Sequence, residues 1–191
     1  MKFKKAQLSD VYQLAQIACT TFSETYAKQN DIHNFYDYVE KAFSIEQLEK
    51  ELNTEGVVFY FFENEGDTIG YFKLNNNLSP ASADRPQFDF DFSPFAETPM
   101  SELERIYLKA DYHGKGLAAT MMDFIESIAQ QHGCEYLWLG VWTLNPKAIR
   151  YYEKCGFSRF GTHIFQIGDD AQKDWLMWKK LSNTDSQSLR Y

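Results

Sequence analysis

The chain is 191 residues long, a length typical of one domain with a core of its own. It is 44% hydrophobic and 24% charged, which excludes a disordered or fibrous chain. The 19 Lys and Arg residues against 27 Asp and Glu residues give a formal net charge of −8. This balance disfavours nucleic acid and anionic membranes as partners and favours cationic ligands.

The cysteines and the N-terminus indicate a reduced, cytoplasmic protein. Cys19, Cys134 and Cys155 lack the spacing of a disulfide framework or a zinc site, so we expect free thiols and no metal. The N-terminal stretch is basic but has no apolar run behind it. No apolar run approaches the roughly 18 residues of a membrane span. We therefore expect neither a signal peptide nor a membrane segment.

Hydrophobic periodicity predicts helices and strands along the whole chain. Apolar residues at helical spacing mark helices, and β-branched or aromatic runs mark strands. In the first half, the predicted elements are a strand at 1–5, a helix capped by Ser9, two helices within 32–52 that separate near Ser44, and a hairpin of 57–62 with 68–74. In the second half, they are a strand at 103–108, a helix at 115–131, a strand at 136–142, a helix from Pro146 to Gly156, and an antiparallel pair of 160–167 with 175–181.

Residues 75–101 interrupt this pattern with several prolines and the motif FDFDF at 88–92. We predict a long loop with an edge strand there. The flanking segments both resemble parts of one sheet. The chain is therefore predicted to form a single domain over 1–181, followed by a polar tail over 182–191.

A glycine turn between a strand and a helix is the most informative segment. The strand at 103–108 leads into Gly114-Lys115-Gly116, which opens directly onto an amphipathic helix. Such a turn presents backbone N–H groups at the positive end of a helix dipole, and glycine lets a ligand approach closely. It lacks the spacing of a Walker loop and the third glycine of a dinucleotide fingerprint. Alone, it is compatible with an anion site or with a simple turn.

The sequence NPKAIRYYEKCGF at 145–157 adds a second motif after the second buried strand. Together the two segments resemble the GNAT superfamily of acyl-CoA-dependent N-acetyltransferases. That superfamily couples a strand and an R/Q-x-x-G-x-G-A/G loop to a later NxxAxxxYxxxGF helix. The resemblance covers residues 102–181 in the same order. Within the superfamily, LWLGVW at 137–142, GTH at 161–163 and GDD at 168–170 are most similar to bacterial spermidine/spermine N-acetyltransferases of the PaiA type.

Two positions depart from the family pattern. Asp111 stands where the motif has Arg or Gln, and Leu117 stands where it has Ala or Gly. A carboxylate aimed at a pyrophosphate would repel it. We therefore expect Asp111 to point to solvent and the backbone amides to carry the contact.

The resemblance implies an α/β (α+β) fold with a mixed, mostly antiparallel sheet of about seven strands flanked by helices on both faces. It also implies acetyl-CoA as co-substrate. The backbone of Ile106, Tyr107 and Leu108 would pair with the pantetheine arm, and Asn145 would hydrogen-bond it. The pyrophosphate would be held by the amides of His113, Gly114, Lys115, Gly116, Leu117 and Ala118.

The implied reaction is attack of a neutral amine on a thioester. A primary ammonium has a pKa of about 10, so a proton must leave before or during attack. Glu104 and Glu102 are candidate bases, because two-residue alternation places them on one strand face with Ile106 and Leu108. The same two carboxylates are also explained as solvated strand residues. Tyr152 could donate a proton to the departing thiolate, and the amide of Leu108 could stabilise the oxyanion.

Acidic residues in segments 23–51 and 84–104 would flank the acceptor cleft of such a fold. We therefore hypothesise a polyamine such as spermidine or spermine, or another small cationic amine. A solvated acidic surface over an aromatic core explains the same residues. Alternative acceptors are a protein N-terminus, a lysine or an amino-sugar drug. The sequence also leaves open that the protein is a catalytically silent acyl-CoA-binding regulator. A homodimer is left open as well. Aromatic faces for alkylammonium groups would come from Tyr26, Tyr36, Tyr38, Phe88, Phe90 and Phe92.

Overall fold

The computed structural model of the protein describes residues 1–80, 89–95 and 97–182. The helices are α1 (Val11–Tyr26), α2 (Ile32–Ala42), α3 (Ile45–Leu52), α4 (Leu117–Gln131) and α5 (Pro146–Lys154). The strands are β1 (Lys2–Lys5), β2 (Val57–Asn64), β3 (Asp67–Asn75), β4 (Met100–Leu108), β5 (Tyr136–Trp142), β6 (Ser158–Ile167) and β7 (Asp170–Lys180).

These strands form one mixed sheet across the part of the chain that the structure describes. Its seven strands lie in the order β1-β2-β3-β4-β5-β7-β6. Neighbours are antiparallel except β4 and β5, which run parallel. The predicted mixed, mostly antiparallel sheet of about seven strands is therefore confirmed.

Helices cover both faces of the sheet. The apolar residues of α4 and α5 pack on one face, where Met121 and Ile125 are fully buried against strand residues such as Phe72. Helices α1 to α3 pack on the other face, where Leu14 and Leu48 are fully buried. Each face thus buries apolar area, which supplies most of the driving force for folding.

Two predicted helix starts had different outcomes. Ser44 separates α2 from α3 as predicted, and its Oγ accepts the backbone N–H of Gln47 at 3.1 Å. Ser9 does not cap α1, because a 3-10 turn at Leu8–Asp10 precedes that helix. There the Asp10 carboxylate accepts the backbone N–H of Gln7 at 3.0 Å.

The segment between β3 and β4 builds a third core cluster where it is described. Phe92 is buried there, and Phe90 packs at 5.7 Å from Trp178 and 5.4 Å from Phe160. Asp89 accepts hydrogen bonds from the backbone N–H and the hydroxyl of Thr162 on β6. Within 89–95, this segment forms a 3-10 turn at Ser93–Phe95. The predicted edge strand is not found in the described residues. Phe88 lies outside those residues.

In the described ranges, no helix combines the length and apolar character that crossing a bilayer requires. Most of the predicted polar tail, from 183 onward, lies outside those ranges.

Candidate active site

The parallel strands β4 and β5 separate after a short paired stretch. Their pairing extends only over 100–102 with 136–138, although β4 continues to Leu108 and β5 to Trp142. Each strand stays paired on its outer side, β4 with β3 and β5 with β7. The β4–β5 gap therefore exposes strand edges whose backbone groups need a hydrogen-bonding partner.

The register of β4 determines which of its backbone groups face this gap. The N–H of Lys109 donates to the carbonyl of Ile69 at 2.9 Å, on the β3 side. Because backbone groups point to alternate sides along a strand, Tyr107 also faces β3, whereas Leu108 and Ile106 face the β4–β5 gap. The carbonyl of Leu108 accepts a hydrogen bond from Nε2 of His113 at 2.8 Å.

A β-bulge in β4 changes the orientation of its carboxylates. Arg105 pairs with Lys73 and Leu103 pairs with Leu74, which leaves Glu104 as an extra residue in the strand. The bulge shifts the alternation by one residue, so that the side chains before it exchange faces relative to those after it.

The predicted shared face of the two glutamates with Ile106 and Leu108 is therefore wrong. Ile106 and Leu108 pack with the α4 side of the core. Glu102 and Glu104 lie on the opposite face, where Nδ2 of Asn75 donates to both carboxylates at 2.8 Å. The sequence pattern could not show this, since a bulge leaves the strand composition unchanged.

We call Glu51, Lys73, Glu102, Glu104 and Arg105 the buried charge cluster. Glu104 lies 2.7 Å from Nζ of Lys73 and 3.3 Å from a guanidinium nitrogen of Arg105. Both oxygens of Glu51 accept from Arg105 at 3.1 Å. Burial alone would raise the pKa of Glu104, but the charges of Arg105 and Lys73 outweigh it and lower the pKa to about 2. As defined, the cluster holds three carboxylates against two cations.

The glycine turn leaves the N-terminus of α4 open. Gly114 and Gly116 adopt φ of +75° and +78°, in the left-handed region that favours glycine. Gly116 is the N-cap and supplies no side-chain cap. A Cβ built at either glycine would meet nothing within 4 Å, so a ligand can reach the backbone. Asp111 is exposed, as predicted. The turn therefore fits an anion such as a pyrophosphate.

The start of α5 meets α1 beside the gap. Oδ1 of Asn145 accepts the N–H of Ala148 at 3.1 Å and so caps α5. Burial raises the pKa of Tyr26, while the nearby side chains of Tyr107 and Asn145 lower it and so lie beside its hydroxyl. Burial raises the pKa of Tyr152 above its ordinary value, and nearby Tyr26 raises it further. These tyrosines therefore gather near the gap and stay protonated at neutral pH.

Sequence reasoning missed the role of Tyr151. Its hydroxyl donates to the carbonyl of Ala118 at 2.6 Å, which ties α5 to the first turn of α4. The adjacent Tyr152 was identified from the family motif, whereas no motif position pointed to Tyr151.

A pocket opens beside the β4–β5 gap on the face covered by α1 to α3. The Tyr26 ring lies 6.3 Å from that of Trp142 and 6.4 Å from that of Tyr107, both edge-on. Tyr38 lies 5.6 Å from Phe165, and burial raises its pKa to about 12. We call this the aromatic pocket. It is lined by Phe22, Tyr26, Tyr38, Phe43, Arg105, Tyr107, Gly140, Trp142, Phe165, Ile167, Gln172 and Asp174.

Asp174 is the carboxylate of the aromatic pocket, and sequence reasoning did not single it out. It pairs across the sheet with Trp142 on one side and with His163 on the other. Nε2 of His163 lies 3.7 Å from its carboxylate, and Asp174 is 9% exposed. Only the hairpin register places this residue in the pocket, because its neighbours come from distant parts of the chain.

Several of the acidic residues expected around a cleft make structural contacts instead. Glu24 accepts the N–H of Ala110 at 2.9 Å, and Asp31 caps α2. Of the tyrosines expected there, Tyr26 and Tyr38 line the pocket, whereas Tyr36 is 63% exposed and does not. Solvated and capping roles therefore explain part of the acidic excess. In the described part of the chain, no group of His, Cys, Asp and Glu is suited to holding a metal ion.

Comparisons with known proteins agree with this geometry. The family model for the acetyltransferase (GNAT) family matches residues 11–157. A protein of Lactobacillus delbrueckii subsp. lactis, described as an uncharacterized N-acetyltransferase in the pepI 3' region, is 31% identical over 183 residues. That match covers 95% of this chain and 98% of the relative. The chain therefore belongs to the GNAT acetyltransferase family, and it is an acetyl-CoA-dependent N-acetyltransferase.

Solved structures share the fold. The PaiA N-acetyltransferase of Thermoplasma acidophilum, in complex with coenzyme A, superposes with a TM-score of 0.70 at 21% identity, covering 94% of this chain and 98% of that one. A chimera of spermidine N-acetyltransferase SpeG from Vibrio cholerae and hSSAT gives a TM-score of 0.61 at 16% identity, covering 95% and 96%. At these identities the likeness concerns the fold alone.

Proposed function

We propose that the protein transfers the acetyl group of acetyl-CoA to a small cationic amine, with a polyamine such as spermidine or spermine as the first acceptor to test. The aromatic pocket carries this proposal, because it adjoins the β4–β5 gap and combines aromatic walls with the carboxylate of Asp174. Aromatic faces and a carboxylate both attract an alkylammonium group. One structural neighbour is named as a spermidine N-acetyltransferase chimera, which supports the choice of polyamines.

The electrostatic surroundings of the pocket support a cation over an anion. Arg105 lines the pocket, but Glu51 and Glu104 both pair with its guanidinium. The buried charge cluster behind the pocket is negative as a whole. A guanidinium neutralised in this way offers little attraction to a carboxylate on the acceptor. The negative charge of the cluster therefore favours an amine that carries no carboxylate.

Acetyl-CoA is proposed to bind along the gap and onto the glycine turn. The gap-facing groups of Ile106 would pair with the pantetheine arm, whereas Tyr107 uses its backbone toward β3 and contributes its side chain. At Leu108 the carbonyl already accepts from His113, so that its N–H is the group left facing the gap. The pyrophosphate would lie on the amides from His113 to Ala118, at the open start of α4. Asn145, whose Oδ1 caps α5, would offer its Nδ2 to the pantetheine side.

The reaction is a direct transfer in this proposal. The amine nitrogen, which has lost its ammonium proton to water, forms a bond to the thioester carbon, and the carbon–sulfur bond breaks. The nitrogen loses a second proton, which balances the proton that the sulfur gains, so the N-substituted acetamide, CoA thiol and one released proton result. The Leu108 amide faces the gap and would donate to the oxyanion. Tyr152 keeps its proton because burial raises its pKa, so that its hydroxyl can donate to the departing sulfur.

Glu104 is better suited to an electrostatic role than to that of a base. A carboxylate with a pKa of about 2 holds a proton poorly at neutral pH. Glu102 is 1% exposed and shares the amide of Asn75 with Glu104. We therefore propose that both carboxylates keep the site negative, while the ammonium proton leaves to water in the pocket.

The test is CoA release, followed with a thiol reagent, across polyamines, a neutral amine, peptides and aminoglycosides, with a reaction lacking acceptor as control. We expect turnover of spermidine or spermine. Robust acetylation of a peptide or a neutral amine without turnover of spermidine would contradict the polyamine assignment. Calorimetric binding of acetyl-CoA with no turnover of any amine would favour a silent acyl-CoA-binding regulator.

A further inference from the structure

We infer that Asp174 selects acceptors that carry a second positive charge, by binding the cation that does not react. This inference rests on the proposed function, because it takes the aromatic pocket as the acceptor site. It assigns to one residue of β7 the discrimination between diamines or polyamines and simple monoamines.

The position of Asp174 in the sheet separates it from the reacting centre. The reacting nitrogen must reach the β4–β5 gap, where the amides of Ile106 and Leu108 face. Asp174 lies on β7, on the far side of β5 and opposite Trp142. Neighbouring strands lie about 4.8 Å apart, so the carboxylate is displaced from the gap by at least the width of β5. It is therefore placed for another part of the acceptor.

Aromatic rings connect these two positions. Trp142 on β5 lies between the gap and Asp174, and Tyr26 packs over it at 6.3 Å. Tyr107 continues the aromatic wall on the β4 side, 6.4 Å from Tyr26. Moving methylene groups from water onto such a surface lowers the free energy. An alkyl chain along these rings would place one nitrogen at the gap and the next near Asp174.

Asp174 has His163 on one side, with Nε2 3.7 Å from its carboxylate, and the aromatic pocket on the other, from which a cation can approach. The carboxylate is almost fully buried, so its interaction with an ammonium is screened less than at the surface. Nε2 of Gln172, its neighbour on the same strand face, donates to Asn30 at 2.6 Å and to Asp170 at 2.8 Å. Those bonds direct the amide donor of Gln172 toward Asn30 and the carboxylate of Asp170.

The experiment compares Asp174→Asn with the wild-type protein on n-alkyl monoamines and on α,ω-diamines of matched chain length. We expect the wild type to prefer diamines. In the variant, kcat/KM for diamines should fall by about 10- to 100-fold, mainly through KM, because a buried charge-assisted hydrogen bond is lost. Monoamine turnover should fall much less than diamine turnover, because a monoamine has no second ammonium to lose its partner. Asp169→Asn is the matched control, because it removes an exposed carboxylate from the β6–β7 turn and should change neither series.

A second variant covers the case in which Asp174→Asn fails to fold. Asp174→Glu keeps the charge and extends it by one methylene into the pocket. The preferred diamine should then become shorter, and an unchanged length preference would overturn the inference.

The outcomes also separate this inference from the proposed function. The role of Asp174 is refuted, while the proposed function stands, if the wild-type protein has equal kcat/KM for monoamines and diamines. The same conclusion follows if Asp174→Asn slows both series equally. If acetyl-CoA binds but no amine is turned over, the proposed function itself fails.

Discussion

One extra residue in β4 determines what its carboxylates can do. Without the bulge, Glu102 and Glu104 would share a face with the backbone-binding residues Ile106 and Leu108. With it, both carboxylates turn toward Asn75, and Glu104 also meets Lys73. Charged neighbours then lower the pKa of Glu104 to about 2. A residue identified as a base by its strand position thus becomes part of a fixed charge arrangement.

Tyr152 carries the residue-scale prediction. In Tyr152→Phe the sulfur loses its proposed hydrogen-bond donor, so kcat should fall by about 10²-fold while acetyl-CoA affinity is unchanged. Steady-state kinetics with calorimetric binding of acetyl-CoA would check this. Tyr36→Phe is the control, because Tyr36 lies exposed outside the aromatic pocket. A Tyr152→Phe protein with full kcat would remove Tyr152 from the mechanism.

At the scale of elements, the two helices that follow β4 and β5 begin differently: α4 has no side-chain cap, whereas a side chain caps α5. Gly116 opens α4 with left-handed φ and no side-chain cap, whereas Asn145 caps α5 through Oδ1. Both elements follow strands that border the β4–β5 gap. The uncapped N–H groups of α4 are therefore free of a competing side-chain acceptor and available to an anionic ligand.

Gly116→Ala tests whether the start of α4 binds the anionic ligand, with a second glycine of similar geometry as the control. Gly133, at the other end of α4, has a φ of +75°, and a Cβ there would also meet nothing within 4 Å. Alanine should cost about 1 kcal/mol of unfolding free energy at either position, because both require a left-handed backbone. Only Gly116→Ala should raise KM for acetyl-CoA, by roughly 10-fold or more, since its Cβ crowds the phosphate position. Equal KM values in the two variants would argue against a pyrophosphate site at the turn.

For the whole molecule, the net charge of −8 takes on a spatial meaning. Some acidic residues cap helices or hold loops, as Asp31 and Asp89 do. Others face Lys73 and Arg105 from the buried charge cluster, on the same sheet face as the aromatic pocket. Part of the acidic excess therefore stabilises helices and loops, and part of it sets the electrostatic field around the proposed acceptor site.

The buried charge cluster predicts a pH dependence of stability. Glu104 titrates at about 2 in the folded protein against a usual value of 4.5, so the unfolded chain binds more protons between these values. Its contribution is complete above about pH 4.5 and is lost as the pH falls toward 2. Chemical unfolding of wild-type protein across this range should show the loss.

Glu104→Gln should flatten that dependence. The variant should also be less stable at pH 7, by roughly 2 kcal/mol, because Lys73 and Arg105 lose a partly buried charged partner. Glu49→Gln on the exposed side of α3 is the control and should follow the wild-type curve. A Glu104→Gln protein with the wild-type slope between pH 4.5 and 2 would refute the low pKa of Glu104.

The sequence by itself determined the element order, the separation of α2 from α3 at Ser44, the glycine turn and the family. These features depend on local periodicity, on caps and on motif spacing, which are all readable within a few turns of chain. Only the tertiary structure decided the face of Glu104, the part that Phe90 and its neighbours play in a core cluster, and the place of Asp174 in the aromatic pocket. A bulge, a loop packed on a distant strand and a hairpin register bring together residues far apart in sequence, and no local pattern records those contacts.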